Sequence, residues 1–275
     1  MAPLSLESTG DALSARDLLT AAAREAGELA LAYFRPGGRT SAAVQAKAGG
    51  SPVSEADLAA DAFLKRRLGE AFPEAGWLSE ETADDPGRMS RRALIVVDPI
   101  DGTRAFVDGD PRWTVSAALV VGRRPIAAVV HGPALKETFT AARGAGAQLN
   151  GRPLARVSGG TKAAYDVAGP KRLLTQMGAR LAAEMAVRPF VPSLAYRLCL
   201  AAAGTLDFAA AGPDAHDWDI AAADLVLEEA GGRLIETAGE RLEYNQPRIT
   251  RGALIAAPDA LAPHLLEAFR AAAGG

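Results

Sequence analysis

A layered α/β fold is what this 275-residue chain predicts, on three observations. Apolar periodicity switches several times between helical and strand-like spacing. Ala93-Leu94-Ile95-Val96-Val97 is a continuous apolar run that reads as a buried strand. No internal repeat and no low-complexity linker divides the mixture of elements.

The elements follow in order. Residues 1–12 read as a loose leader. An Ala- and Leu-rich helical pattern covers 14–34 and stops at Pro36-Gly37-Gly38. A polar, glycine-bearing stretch follows, from Lys47 to Pro52. A second helix is predicted over 54–71, with Leu58, Ala62, Leu64 and Leu68 as most of its apolar face and Pro73 as its stop. Strands are predicted over 93–97, 114–121, 125–130 and 137–141, and Gly122-Arg123-Arg124 reads as a hairpin connection. Residues 144–151 form a glycine-containing loop. The second half alternates: a strand at 165–168, a helix at 170–185, a short strand near 190, a helix at 193–203 and a strand at 206–210. A helix at 218–230, strands at 233–236 and 253–256 and a helix at 260–272 complete it. A composition change at 150–160 is the candidate boundary. It separates an N-terminal α+β part, 1–155, from a C-terminal α/β part, 156–275, within one compact unit.

Composition limits the function classes. Hydrophobic residues make up 49% and charged residues 23%, which are globular values. The net charge is −3, and the basic residues come in short clusters such as Lys65-Arg66-Arg67. That balance argues against a nucleic-acid polymer as partner. The single cysteine, Cys199, excludes an internal disulfide and reads as a small core residue in a reducing compartment. No apolar run reaches the ~18 residues of a transmembrane helix, and no basic-then-apolar signal opens the chain. A soluble cytoplasmic protein is expected.

The chemistry concentrates in Val97-Asp98-Pro99-Ile100-Asp101-Gly102-Thr103. Carboxylates at the end of a buried strand are costly unless compensated. A hard divalent cation such as magnesium compensates them well, and magnesium commonly serves phosphate chemistry. The Ile100 carbonyl lies between Asp98 and Asp101 in the sequence and could become a third oxygen ligand, and the Thr103 hydroxyl can hold a water. Taken alone, the stretch is equally a capped turn. Three other acidic stretches bear on it. Ser79-Glu80-Glu81 lies on a connector that can reach the strand end. Asp217-Trp218-Asp219 opens a helix, where an acid either caps and complements the dipole or stands fixed beside a metal. Ser54-Glu55-Ala56-Asp57 reads as a capping-box start, from which Asp57 can also pair with Thr103. The three histidines are dispersed, and H-E-x-x-H, P-loop, G-x-S-x-G and G-x-G-x-x-G motifs are absent. What remains is an all-carboxylate set.

Together, S-E-A-D at 54–57, S-E-E at 79–81, D-P-I-D-G-T at 98–103, W-D-I-A-A at 218–222 and E-A-G-G at 229–232 resemble the inositol monophosphatase superfamily of magnesium-dependent, lithium-sensitive phosphatases. The resemblance covers roughly residues 14–260. It implies the layered αβαβα sandwich shared with fructose-1,6-bisphosphatase, a homodimer, and a small phosphate monoester as substrate. It implies two to three Mg2+ ions. Glu80, Asp98 and the Ile100 carbonyl would hold the first, Asp98, Asp101 and Asp219 the second, and a weaker third would lie near Glu80. Asp57 and Thr103 would orient and activate the attacking water, and the Gly102 and Thr103 backbone would bind the phosphate. Glu80, Ile100, Asp101 and Asp219 would thereby face the substrate as well. One departure is Ser79, where the family commonly has glycine.

Substrate choice rests on the second half. Ser193 to Cys199 resembles a segment of bacterial 3'(2'),5'-bisphosphate nucleotidases of sulfate assimilation, as does Phe106 to Val115. In that reading Lys171 and Arg197 meet a second phosphate; each is otherwise a surface cation. Adenosine 3',5'-bisphosphate is the favoured substrate, ahead of inositol 1-phosphate and then histidinol phosphate or a sugar bisphosphate. A ligand sensor is disfavoured because no expected metal carboxylate is missing.

Overall fold

The computed structural model describes residues 8–273, apart from 48, 160, 161, 178, 237, 238 and 240. The first half runs α1 (Thr9–Leu31), β1 (Val44–Ala46), β2 (Pro52–Ser54), α2 (Glu55–Ala71), β3 (Gly76–Ser79), β4 (Ala93–Asp101) and α3 (Thr103–Asp108). It continues through β5 (Thr114–Val121), β6 (Arg124–Gly132), β7 (Glu137–Ala142), β8 (Gly146–Leu149) and β9 (Arg152–Pro153). The second half runs β10 (Tyr165–Ala168), α4 (Lys171–Thr175), α5 (Ala179–Ala183), β11 (Met185–Val187), α6 (Leu194–Ala202) and β12 (Phe208–Ala211). It ends with α7 (Asp217–Glu229), β13 (Gly232–Glu236), β14 (Leu254–Pro258) and α8 (Ala262–Ala273).

Two-residue alternation along the strands sets the layers. On β4, Ile95 and Val97 pack with Leu19 of α1 and Leu64 and Leu68 of α2. The intervening Leu94 and Val96 pack with Leu198 of α6 and Leu225 and Val226 of α7. Those same two helices meet Ala209, Ala211, Leu254 and Ala256 of the second sheet. On that sheet's other face, Phe208, Ala210, Ile255 and Ala257 pack with Leu173 and Leu174 of α4 and Leu265 of α8. The order is helix, sheet, helix, sheet, helix, as the resemblance implied. Small side chains let the middle layer fit: Ala195, Ala201, Ala202 and Ala221 to Ala223 are all buried.

The seven-stranded sheet holds β3 to β9 in chain order, with β3 parallel to β4 and the other neighbours antiparallel. The five-stranded sheet has the order β11-β10-β12-β14-β13. Among the described residues no helix is long and apolar enough to cross a membrane.

Several expectations need correction. The helix assigned to 14–34 begins at Thr9: Ser8 caps it by accepting from the Asp11 amide at 3.1 Å, while Asp11 accepts from the Ser8 amide at 3.1 Å. Of the supposed leader, 1–7 lie outside the described residues. On α2, Leu58 and Ala62 are exposed, and the inward stripe is Asp57, Asp61, Leu64 and Leu68 with Ala56 and Ala60. Polar partners across the fold hold the two aspartates on that inward face beside its apolar residues. The helix assigned to 170–185 is two short helices followed by β11, with Gly178 between the helices in the sequence, and no strand forms at Phe190.

Candidate active site

The C-terminal end of β4 carries the centre. Asp98 lies opposite Ser116 and Asp101 opposite Thr114 on β5, and the register shifts between them. Pro99 has no amide to give to the ladder, which suits an irregularity that re-aims side chains. The Ile100 amide donates to Asp98 Oδ1 at 3.1 Å. Gly102 follows with φ +91, a left-handed conformation that glycine adopts without a Cβ penalty. A Cβ there would also come within 3.2 Å of the Ser193 amide nitrogen. Thr103 then opens α3. Its hydroxyl lies 3.1 Å from Asp57 Oδ1 and 3.1 Å from the Ile100 carbonyl oxygen.

Asp57 is fixed from the other side. Its Oδ2 accepts from the Ser54 amide at 2.8 Å and the Ser54 hydroxyl at 2.5 Å, which leaves Oδ1 for Thr103. The capping role and the pairing with Thr103 therefore coexist on separate oxygens. Asp219 occupies the corresponding position in α7, where its Oδ2 accepts from the His216 amide at 2.6 Å. Asp101 is held by the start of α6: its Oδ2 accepts from the Ser193 hydroxyl at 2.5 Å and the Ala195 amide at 2.7 Å.

Each of Asp98, Asp101 and Asp219 offers an oxygen, and these atoms lie within 4.8 Å of one another. Burial raises all three carboxyls, Asp101 to about 6 and the other two well above the usual carboxylate range. Nearby Glu80, Asp101, Asp219 and Asp57 push Asp98 up further. Hydrogen bonds from Ser193, Ala195 and Leu194 and the charge of Arg197 hold Asp101 back. Desolvated like charges at this spacing repel unless a cation joins them. The all-oxygen donor set, convergent and anionic, fits a hard divalent ion.

Glu80 follows β3 and accepts from Lys47 Nζ at 2.8 Å, while Glu81 accepts from the same atom at 2.7 Å. Burial carries the Glu81 carboxyl up to about 7 against the pull of Lys47. Ser79, the family departure, donates to Asp61 Oδ1 at 2.5 Å, and the Thr82 hydroxyl donates to Asp61 Oδ2 at 2.7 Å. The connector bearing Glu80 is thereby fastened to α2.

A cleft of about 540 Å3 unites these groups; Glu80, Asp98, Asp101, Gly102, Thr103 and Asp219 line it, with Arg104 and Phe190. Asp57 stands behind Thr103. Two predicted substrate residues are placed elsewhere. Lys171 lines a separate groove with Leu174, Met185 and Val187. Arg197 is buried, donates from Nη1 to the Val191 carbonyl at 2.7 Å and lies over the Phe190 ring. Neither lines the cleft; α6 turns Arg197 inward, where its charge still reaches Asp101, and Arg104 is the arginine that lines the opening. Sequence reasoning missed Lys47, Asp61 and Phe190 as parts of this region, and it read Ser193 only within the substrate segment, not as a partner of Asp101. Only Asp61 carried a signal, four residues after Asp57 on the same helix face.

Residues 13–273 match the inositol monophosphatase family. The chain belongs to that family. Inositol monophosphatase 1 of Solanum lycopersicum is 30% identical over 265 residues, covering 90% of this chain and 90% of its own length. The 3'(2'),5'-bisphosphate nucleotidase CysQ of Aggregatibacter actinomycetemcomitans is 30% identical over 238 residues, covering 82% of this chain and 85% of its own. The extragenic suppressor protein suhB of Bartonella henselae superposes with a TM-score of 0.80 at 28% identity, covering 94% of this chain and 98% of that one. Members of the family are metal-dependent phosphatases, and this chain is a phosphoric monoester hydrolase of that kind.

Proposed function

We propose that the protein is a magnesium-dependent 3'(2'),5'-bisphosphate nucleotidase, converting adenosine 3',5'-bisphosphate to AMP and phosphate. The observation that carries the metal-dependent chemistry is the convergence of Asp98, Asp101 and Asp219 beside the Thr103–Asp57 pair. Asp98, Asp101 and Asp219 would hold one ion, Glu80, Asp98 and the Ile100 carbonyl a second, with a third near Glu80. When bound, magnesium supplies positive charge against the phosphate and its leaving oxygen and acidifies a water.

The chain's own groups supply position and proton transfer. Thr103 Oγ1, held between Asp57 Oδ1 and the Ile100 carbonyl, orients the attacking water. Asp57 Oδ1 accepts the proton relayed through that hydroxyl; burial raises the Asp57 carboxyl and makes it a better base. The amides of Gly102 and Thr103 bind a phosphate oxygen. No side-chain nucleophile is required.

The nucleotide substrate is supported by the 193–199 segment, by the similarity to a bisphosphate nucleotidase and by Arg104 lining the cleft, where a second phosphate would meet it. Inositol 1-phosphate is the second reading, supported by the tomato relative. Comparing kcat/KM on adenosine 3',5'-bisphosphate, inositol 1-phosphate and histidinol phosphate decides between them. A tenfold preference, about 1.4 kcal/mol of transition-state discrimination, for the first is expected. The same preference for inositol 1-phosphate overturns the nucleotidase reading.

A further inference from the structure

We propose that Phe190 is a stacking platform for a planar ring on the substrate, an inference that rests on the nucleotidase reading and names the residue that would recognise the base. Among the described residues the exposed large hydrophobics are Leu29, Leu58, Met89, Val187 and Phe190. Phe190 is the aromatic one, is 55% exposed and lines the cleft that holds the carboxylates. A large apolar side chain left in water at the mouth of a polar cleft is informative where scattered surface leucines are not.

The ring is exposed but not loose. The Arg197 guanidinium lies over it, 5.0 Å from the centroid. That guanidinium is buried and bonded to the Val191 carbonyl, so it covers the ring from the protein side. Arg112, paired with Asp110, donates to the carbonyl of Phe190 itself at 2.9 Å. Two arginines thus hold the backbone and cover one face of the ring, which is 55% exposed and lines the cleft. A cation behind an aromatic ring withdraws electron density from it and suits it to an electron-rich purine. A platform held in place before binding loses little freedom when a base stacks on it.

AMP and ribose 5-phosphate share the phosphate and the sugar and differ in the base, so their inhibition constants isolate the platform. In the wild-type enzyme AMP inhibits at least about tenfold more tightly, within the range of base–aromatic stacking. Phe190→Ala brings the two constants together to within about twofold, and Phe190→Trp restores the gap. Melting curves check that both variants fold. A gap that persists in Phe190→Ala, that Phe190→Trp does not restore, or that is absent from the wild type overturns the proposal. The nucleotidase reading fails on a separate result, preferred turnover of inositol 1-phosphate. Inhibition measured against that turnover still decides the role of Phe190.

Discussion

Ser193 joins the fold to the site, and Ser193→Ala exposes the connection. The side chain is fully buried. Its hydroxyl donates to Asp101 Oδ2 at 2.5 Å, lies 3.0 Å from Thr114 Oγ1 and accepts from the Tyr196 amide at 3.1 Å as the cap of α6. Losing a helix cap costs about 1 kcal/mol. Losing a hydrogen bond to a charged group costs roughly 1.5–3 kcal/mol. Asp101 keeps the Ala195 amide, so the expected loss is about 2–4 kcal/mol rather than the cost of an orphaned carboxylate. Urea unfolding followed by tryptophan fluorescence reads that loss as a lower midpoint with an unchanged slope. The same variant loses at least about tenfold in kcat/KM, because one oxygen of Asp101 loses its strongest constraint. Ser193→Gly retains most of the capping and still lacks the bond to Asp101, so its activity falls equally while its cap-related loss is a few tenths of a kcal/mol. Stability within about 0.5 kcal/mol of wild type together with unchanged kcat/KM would refute the claim that the start of α6 positions Asp101.

Two further outcomes test the surroundings. Magnesium stabilises the protein more at pH 8 than at pH 5. Burial raises the folded Asp101 carboxyl to about 6 and those of Asp98 and Asp219 well above their unfolded range, so the metal-free fold binds more protons than the unfolded chain and loses stability as pH rises through these raised values. At pH 5 protons compete with the ion. Melting temperatures with excess magnesium and with EDTA at the two pH values measure the difference, and a larger magnesium effect at pH 5 contradicts it. Gly109→Ala places a Cβ 2.4 Å from the carbonyl oxygens of Arg35 and Gly38 at a residue with φ +77. Both effects destabilise, by about 3 kcal/mol or more together, and denaturant unfolding at unchanged conditions would show a neutral variant if that packing were absent.

What the sequence made legible followed local rules. Ala93 to Val97 reads as a strand because every residue is apolar, and the two faces of β4 do pack against different helix layers. Asp57 and Asp219 were visible as acids at helix starts, since capping needs neighbours only three residues away. The misreadings lie where distant contacts decide. Leu58 looked like core and is exposed, because α2 turns Asp57 and Asp61 toward Thr103, Ser79 and Thr82 instead. Arg197, read either as a phosphate ligand or as a surface cation, is buried beneath Phe190, because the chain ahead of α6 folds back over it. Lys47 pairs with Glu80 and Glu81 across more than thirty residues, a separation no periodicity connects.

The central claim is that the carboxylates at the end of β4 are the machinery of a magnesium-dependent phosphatase. Asp98→Asn tests it most directly. Asp98 is buried and faces four other carboxylates, so neutralising it leaves the metal-free melting temperature at or above that of wild type. With magnesium in excess, kcat/KM on adenosine 3',5'-bisphosphate or the preferred phosphate ester falls at least about a thousandfold, roughly 4 kcal/mol of transition-state stabilisation. A folded Asp98→Asn protein that retains activity within about tenfold of wild type contradicts the account.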